Sequence, residues 1–162
     1  MKRYTIVCVI ILLFTVLFSA PALADSYSDM KIYCGKIPAV LRISDTEYRG
    51  KLLIHNSPNQ TDFPALVDLP TGAQEVSFNV SGISSIEGFR TDAIKSGKLP
   101  GIECPEWLLK DRLMVFRIST RSGREFWAHT KTRLDFLASE GIKFDIGHQA
   151  GITYKLTMGE LP

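Results

Sequence analysis

DRLMVFRISTRSGREFWAHTK, residues 111–131, is the strongest β-hairpin signal in the chain. Leu113 to Thr120 alternates β-branched and large apolar side chains, as a pleated and half-buried surface favours. Arg121, Ser122 and Gly123 break the run, and Glu125 to Lys131 resumes an extended pattern. Two registers are open. A two-residue loop at Ser122-Gly123 sets Ile118 opposite Trp127 and Phe116 opposite His129. A three-residue loop, with Gly123 as a bulge in the left-handed region, sets Ile118 opposite Phe126 and Phe116 opposite Ala128.

The second register sorts the side chains by chemistry, because a slip of one residue moves a whole strand to the other face. Met114, Phe116, Ile118, Phe126 and Ala128 then share a core face. Leu113, Val115, Arg117, Ser119, Glu125, Trp127, His129 and Lys131 share the opposite one. Gly123 is also the residue that a bulge with positive φ needs. Trp127 falls across from Arg117, within reach of a cation–π contact worth about 0.5–1 kcal/mol if exposed. Arg and Trp are enriched at binding hot spots. The candidate binding surface is therefore Arg117, Arg121, Arg124, Trp127, His129 and Lys131. The competing reading is that a second layer covers this face and Trp127 is core.

Outward from the hairpin, the chain keeps the same character. Ala39–Ile43 and Glu47–His55 read as two strands joined at Ser44-Asp45-Thr46, and Asn56–Asp62 (NSPNQTD) as a loop of turn formers. Phe63–Leu69 is a strand in which Pro64 argues for an edge or a strand start. Pro70-Thr71-Gly72-Ala73 is a tight turn, and Gln74–Val80 alternates cleanly. From Ser81 to Gly101 the pattern loosens. Ser84-x-x-Glu87 fits a capping box, and Thr91–Lys95 fits one helical turn. Pro105 begins a short helix that sends Trp107 and Leu108 inward. After the hairpin, Thr132-x-x-Asp135 and the Leu134/Leu137 spacing predict a helix over 133–140, ended by Gly141. Ile142–Ile146 and Ile152–Met158 read as a last hairpin. The fold class this predicts is mainly β: an antiparallel β-sandwich or open barrel with one or two short helices.

The first residues belong to an address. Met1-Lys2-Arg3 is a positive n-region, Ile6–Phe18 an apolar run, and Ala22-Leu23-Ala24 an A-x-A site after Pro21. This is the pattern of a secretory signal peptide, and the run is short of the roughly 20 residues a spanning helix needs. Residues 1–24 are thus expected to be cleaved, leaving 25–162 as a single periplasmic or secreted β-rich domain of bacterial type. Of 19 basic and 17 acidic side chains, Lys2 and Arg3 leave with the signal, so the remainder is balanced. A neutral domain has no bulk attraction for nucleic acid. Arg112, Arg117, Arg121, Arg124, Lys131 and Arg133 do cluster along the hairpin, but Asp111, Glu125 and Asp135 dilute them. Such a cluster suits an acidic protein surface, an anionic glycan or a lipid headgroup, and it also suits a solvated strand edge kept from aggregating.

Cys8 falls in the signal, which leaves Cys34 and Cys104. In an oxidising compartment such a pair forms a disulfide. Closing a loop of roughly seventy residues is worth about 4 kcal/mol in the chain-entropy picture. The competing reading is two free thiols, one of them a nucleophile. No nucleophile elbow, zinc-protease helix or phosphate-binding loop occurs. The three histidines, His55, His129 and His148, are far apart in sequence and none has a close metal-like partner, so no metal and no cofactor are expected. These features together predict a small exported binding module of the envelope or secretome, not an enzyme: an inhibitor, an immunity-type protein, or a toxin or adhesin subunit. The alternatives are an exported hydrolase acting on cell-wall or glycan material, marked by a polar cleft with His129 or His55 on a carboxylate, and a β-barrel carrier of an apolar ligand.

Overall fold

The computed structural model describes residues 37–55, 62–146 and 151–159. Residues 1–24, expected to be a signal peptide, together with Cys34 and its neighbours, His148 and most of the NSPNQTD loop, lie outside them. All described residues fall within one unit, Ile32–Pro162.

Ten strands form one antiparallel sheet. In chain order they are β1 (Ile37–Ile43), β2 (Thr46–His55), β3 (Asp62–Leu69), β4 (Gly72–Asn79), β5 (Ile83–Arg90), β6 (Met114–Thr120), β7 (Glu125–His129), β8 (Arg133–Ala138), β9 (Lys143–Asp145) and β10 (Thr153–Met158). Two short helices, α1 (Thr91–Lys95) and α2 (Glu106–Leu109), lie between β5 and β6. The spatial order is β4-β3-β7-β6-β5-β10-β1-β2-β8-β9. The sheet curls into a half-barrel, so the open-barrel form of the expected class holds. Its inner face carries a single apolar core to which both ends contribute, from Phe63 and Phe78 to Leu134 and Phe136.

The central hairpin takes the three-residue loop. Phe116 pairs with Ala128, Arg117 with Trp127 and Ile118 with Phe126. Gly123 adopts φ +82°, and Thr120 closes the turn by donating its N–H to the Arg124 carbonyl at 2.8 Å. Met114, Phe116, Ile118 and Ala128 are buried on the core side. Pro64 sits on a strand that is not an edge. The β3–β7 ladder engages only Leu66 and Val67, so Pro64 lies beyond it and pairs on its other side with Ser77.

Three expectations are corrected. Within 133–140, Arg133–Ala138 is strand β8, because Leu134, Phe136 and Ala138 alternate into the core while Leu137 stays 39% exposed. Ser84 and Glu87 lie within strand β5, where their alternation with buried Ile86 outweighs the capping-box spacing. Finally, β9 and β10 are not a hairpin. β9 adds to the edge of β8, while β10 inserts between β5 and β1, burying Tyr154, Leu156 and Met158.

Candidate functional site

The outer face of the half-barrel is where the chain's polar chemistry collects. Phe89, Val115 and Trp127 all point to this side, opposite the core. Apolar groups there need a cover, and the connection between β5 and β6 supplies it. Phe89, Leu108 and Val115 are buried in a second cluster, against which Ile94, Leu99, Ile102, Trp107, Leu109 and Trp127 pack. The ends of the connection are tied together: Thr91 donates its N–H to Leu113 O at 3.0 Å and its hydroxyl to Arg112 O at 2.5 Å. Asp111, at φ +55°, turns the chain back toward β6.

Between this cover and strands β3, β4 and β7 lies a cleft of about 690 Å3. Pro64, Ala65 and Leu66 contribute from β3, with Glu75 from β4 and His129, Lys131 and Thr132 from the end of the hairpin. Trp107, Lys110, Asp111 and Arg112 complete the wall. Trp107 is fixed by donating Nε1–H to Asp68 Oδ1 at 2.7 Å. The Arg112 guanidinium lies 5.4 Å from the centre of the Trp107 ring and donates from Nη1 to the Trp107 carbonyl at 2.7 Å. The half-buried His129 ring has its Nδ1 3.4 Å from Met114 O. Burial, then the positive charges of Arg112 and Lys131, hold its pKa below the ordinary histidine value, against the Met114 carbonyl.

The six residues expected to form the binding surface do not share one patch. His129 and Lys131 line the cleft. Arg117 is committed to Glu87, donating from Nε at 2.8 Å and also from Nη2, and it lies over both Phe89 and Trp127. Trp127 is half-buried, with its ring centre 5.5 Å from that of Phe89. Arg121 anchors the hairpin tip to the Ser81 and Gly159 carbonyls, and Arg124 is exposed on that tip. Sequence reasoning missed Trp107 and Lys110 as site residues, because the segment carrying them has no periodicity of its own, and it counted Arg112 in the hairpin's basic cluster without placing it in the site. The usable signal was indirect. Apolar residues on the non-core face of the hairpin require a cover, and the weakly patterned chain ahead of the hairpin was free to provide it.

Elsewhere on the outer face, one row of charges is matched. This cross-strand row runs Trp127, Arg117, Glu87, Lys155, Arg42, Glu47. Lys155 reaches Glu87 at 3.1 Å, and Arg42 reaches Glu47 at 2.9 Å. On β8 the fully buried Asp135 carboxylate receives Lys143 at 2.9 Å, Arg133 at 3.3 Å and His55 Nε2 at 2.5 Å. Burial raises its pKa, but the Lys143 hydrogen bond and the charges of His55, Lys143 and Arg133 more than offset this and hold it low. His55 therefore has the carboxylate a hydrolytic histidine would need, but that carboxylate is saturated by three partners in a structural network.

Cys104 is a half-buried thiol among these apolar groups. Burial, with the Asp68 carboxylate adding to it, pushes its pKa up to about 11. A nucleophilic cysteine needs the opposite shift. Among the described residues no group of three or more His, Cys, Asp or Glu is placed to hold a metal ion, and no helix is long and apolar enough to cross a membrane. Fold and site together define an all-antiparallel half-barrel with a polar cleft of mixed charge on its outer side. No protein-family model, curated protein or solved structure matches the chain.

Proposed function

We propose that the chain is an exported, non-enzymatic binding module of the bacterial envelope or secretome, acting as an inhibitor, an immunity-type protein, or a toxin or adhesin subunit. In this reading residues 1–24 are removed on export, and the Cys104 thiol is oxidised to a disulfide with Cys34. The docking surface is the cleft at Trp107 and Arg112, extended by His129 and Lys131.

One observation carries the reading. Lys110, Arg112 and Lys131 line the cleft without a carboxylate partner among the described residues, although Glu75 and Asp111 line it too. The row of charges across β6, β5, β10, β1 and β2 is by contrast paired. Unpaired cations beside an ordered Trp are the composition of a binding hot spot.

The test is capture from periplasmic and secreted fractions on immobilised, oxidised 25–162. A stoichiometric partner retained by the wild type and by Arg124→Gln, and lost with Arg112→Gln, is the expected result. An empty wild-type capture, or equal retention by Arg112→Gln, refutes the reading.

A further inference from the structure

Arg112 is held in place by neutral groups alone and has no carboxylate partner among the described residues. Its Nη1 is held by the Trp107 carbonyl at 2.7 Å and lies 3.4 Å from that of Lys110, while its plane lies over the Trp107 ring. Nε and Nη2 are left to donate. A guanidinium held this way presents parallel donors to a carboxylate with little ordering left to do. Lys110 and Lys131 are exposed on the same cleft and have no ion-pair partner among the described residues either.

Two features set the kind of anion. The cleft is mixed in sign: Glu75 and Asp111 stand among the three cations. A dense polyanion, such as a sulfated glycan or an anionic membrane, would meet those carboxylates at each repeat. Membrane recognition also calls for about 4–8 clustered basic residues, and residues 25–162 carry balanced charge. In addition, a second recess of about 800 Å3 abuts the first. Leu109, Lys95 and Glu106 line it, and it shares Trp107 and Lys110 with the first. A ligand crossing the Trp107 ridge would carry an anionic group on one side and an apolar group on the other.

We propose that the cleft recognises an acidic peptide segment of a partner protein: one side-chain carboxylate seated among Lys110, Arg112 and Lys131, and a neighbouring apolar side chain laid over Trp107 against Leu109. This rests on the binding-module reading and names its ligand class. His129 also lines the cleft; burial, then the charges of Arg112 and Lys131, hold its pKa below the ordinary histidine value.

The experiment monitors the two indole Nε1–H signals of 15N-labelled 25–162. The probes are short peptides blocked at both ends, carrying one Glu and one Leu at varied separation, and their Glu→Gln counterparts. Trp107 should shift and Trp127 should not. Glu peptides should bind about tenfold or more tighter than Gln peptides, as a hydrogen-bonded charge implies. Arg112→Gln should abolish that preference. Lys110→Gln and Lys131→Gln, at exposed positions, should each reduce it, which keeps the test decisive if Arg112→Gln fails to fold. Phosphatidylglycerol vesicles or heparin-type oligosaccharides moving the Trp107 signal while Glu peptides do not would overturn the peptide assignment and leave the binding module standing. No Trp107 shift with any probe also overturns it, and an empty capture in addition removes the binding module.

Discussion

Tyr154 is fully enclosed in the core, and its hydroxyl has no hydrogen-bond partner among the described residues. Burial, with the Asp145 carboxylate adding to it, drives its pKa far up, so the phenol stays protonated. Its ring is admitted by Gly88, directly opposite on β5, where a Cβ would stand 2.2 Å from the ring. An unsatisfied buried hydroxyl costs about 1–3 kcal/mol. Tyr154→Phe is therefore expected to raise unfolding stability by an amount within that range, read by urea denaturation; a loss of stability would reveal a hydrogen bond of the hydroxyl. Gly88→Ala should cost about 1–3 kcal/mol through overpacking. Most of that cost should vanish in a Tyr154→Val background, since the two positions are in contact. Neither residue was legible alone. Tyr154 fell within the strand expected over Ile152–Met158, and Gly88 directly followed the Ser84-x-x-Glu87 spacing. Their meaning comes from a pairing between strands distant in sequence.

The register of the central hairpin was legible because it is set locally, by the turn. Gly123 at φ +82° has open space where a Cβ would go, so Gly123→Ala should cost only the left-handed backbone term, about 1–2 kcal/mol, with the register unchanged. Matched amide shifts in β6 and β7 would check the register, and thermal unfolding the cost. Strand β8 was misread for the opposite reason. Leu134 and Leu137 fit a helix spacing, whereas Leu134, Phe136 and Ala138 fit a strand; a short apolar segment supports both periods. The distant partners β2 and β9 decide between them. The two readings separate by mutation. Phe136→Ala should cost about 3–5 kcal/mol from a filled core, while the surface change Leu137→Glu should stay within about 0.5 kcal/mol. A large loss at Leu137 would instead mean that the β8 outer face is covered. The same locality governs the candidate site. His129 and Lys131 could be read from the hairpin's faces, but Trp107, Lys110 and Arg112 reach the cleft only because a patternless connection folds back over apolar side chains.

For the whole molecule, alternation along the strands was enough to predict antiparallel β, and no local signal could order them. β10 inserts between β5 and β1, and β7 reaches back to β3, so the half-barrel is held by contacts that are mostly distant in the chain. Such a sheet places its ionisable groups in very different surroundings, and its acid response should show this in two steps. His129 has a folded pKa below its ordinary 6.5. The unfolded chain therefore takes up that proton first, and stability should begin to fall as pH drops below about 6.5, levelling at the folded pKa. Asp135 and Glu87 are also held below their ordinary values, 3.8 and 4.5. For Glu87, burial works against the shift, but the hydrogen bonds and charges of Arg117 and Lys155 overcome it. Their contribution is fully present above the unfolded pKa values and is lost as pH falls through the folded ones, so the second decline belongs below about 4.5. Urea midpoints measured from pH 8 to pH 3 should show both declines. His129→Gln should erase the upper one and leave the lower, while Asp135→Asn should shallow the lower one at the cost of global stability, about 3–5 kcal/mol for breaking a buried ion-pair network. A profile flat down to pH 5 in the wild type would mean that the His129 ring reaches solvent freely, and with it that this part of the cleft lining is looser than the 3.4 Å approach of His129 to Met114 O implies.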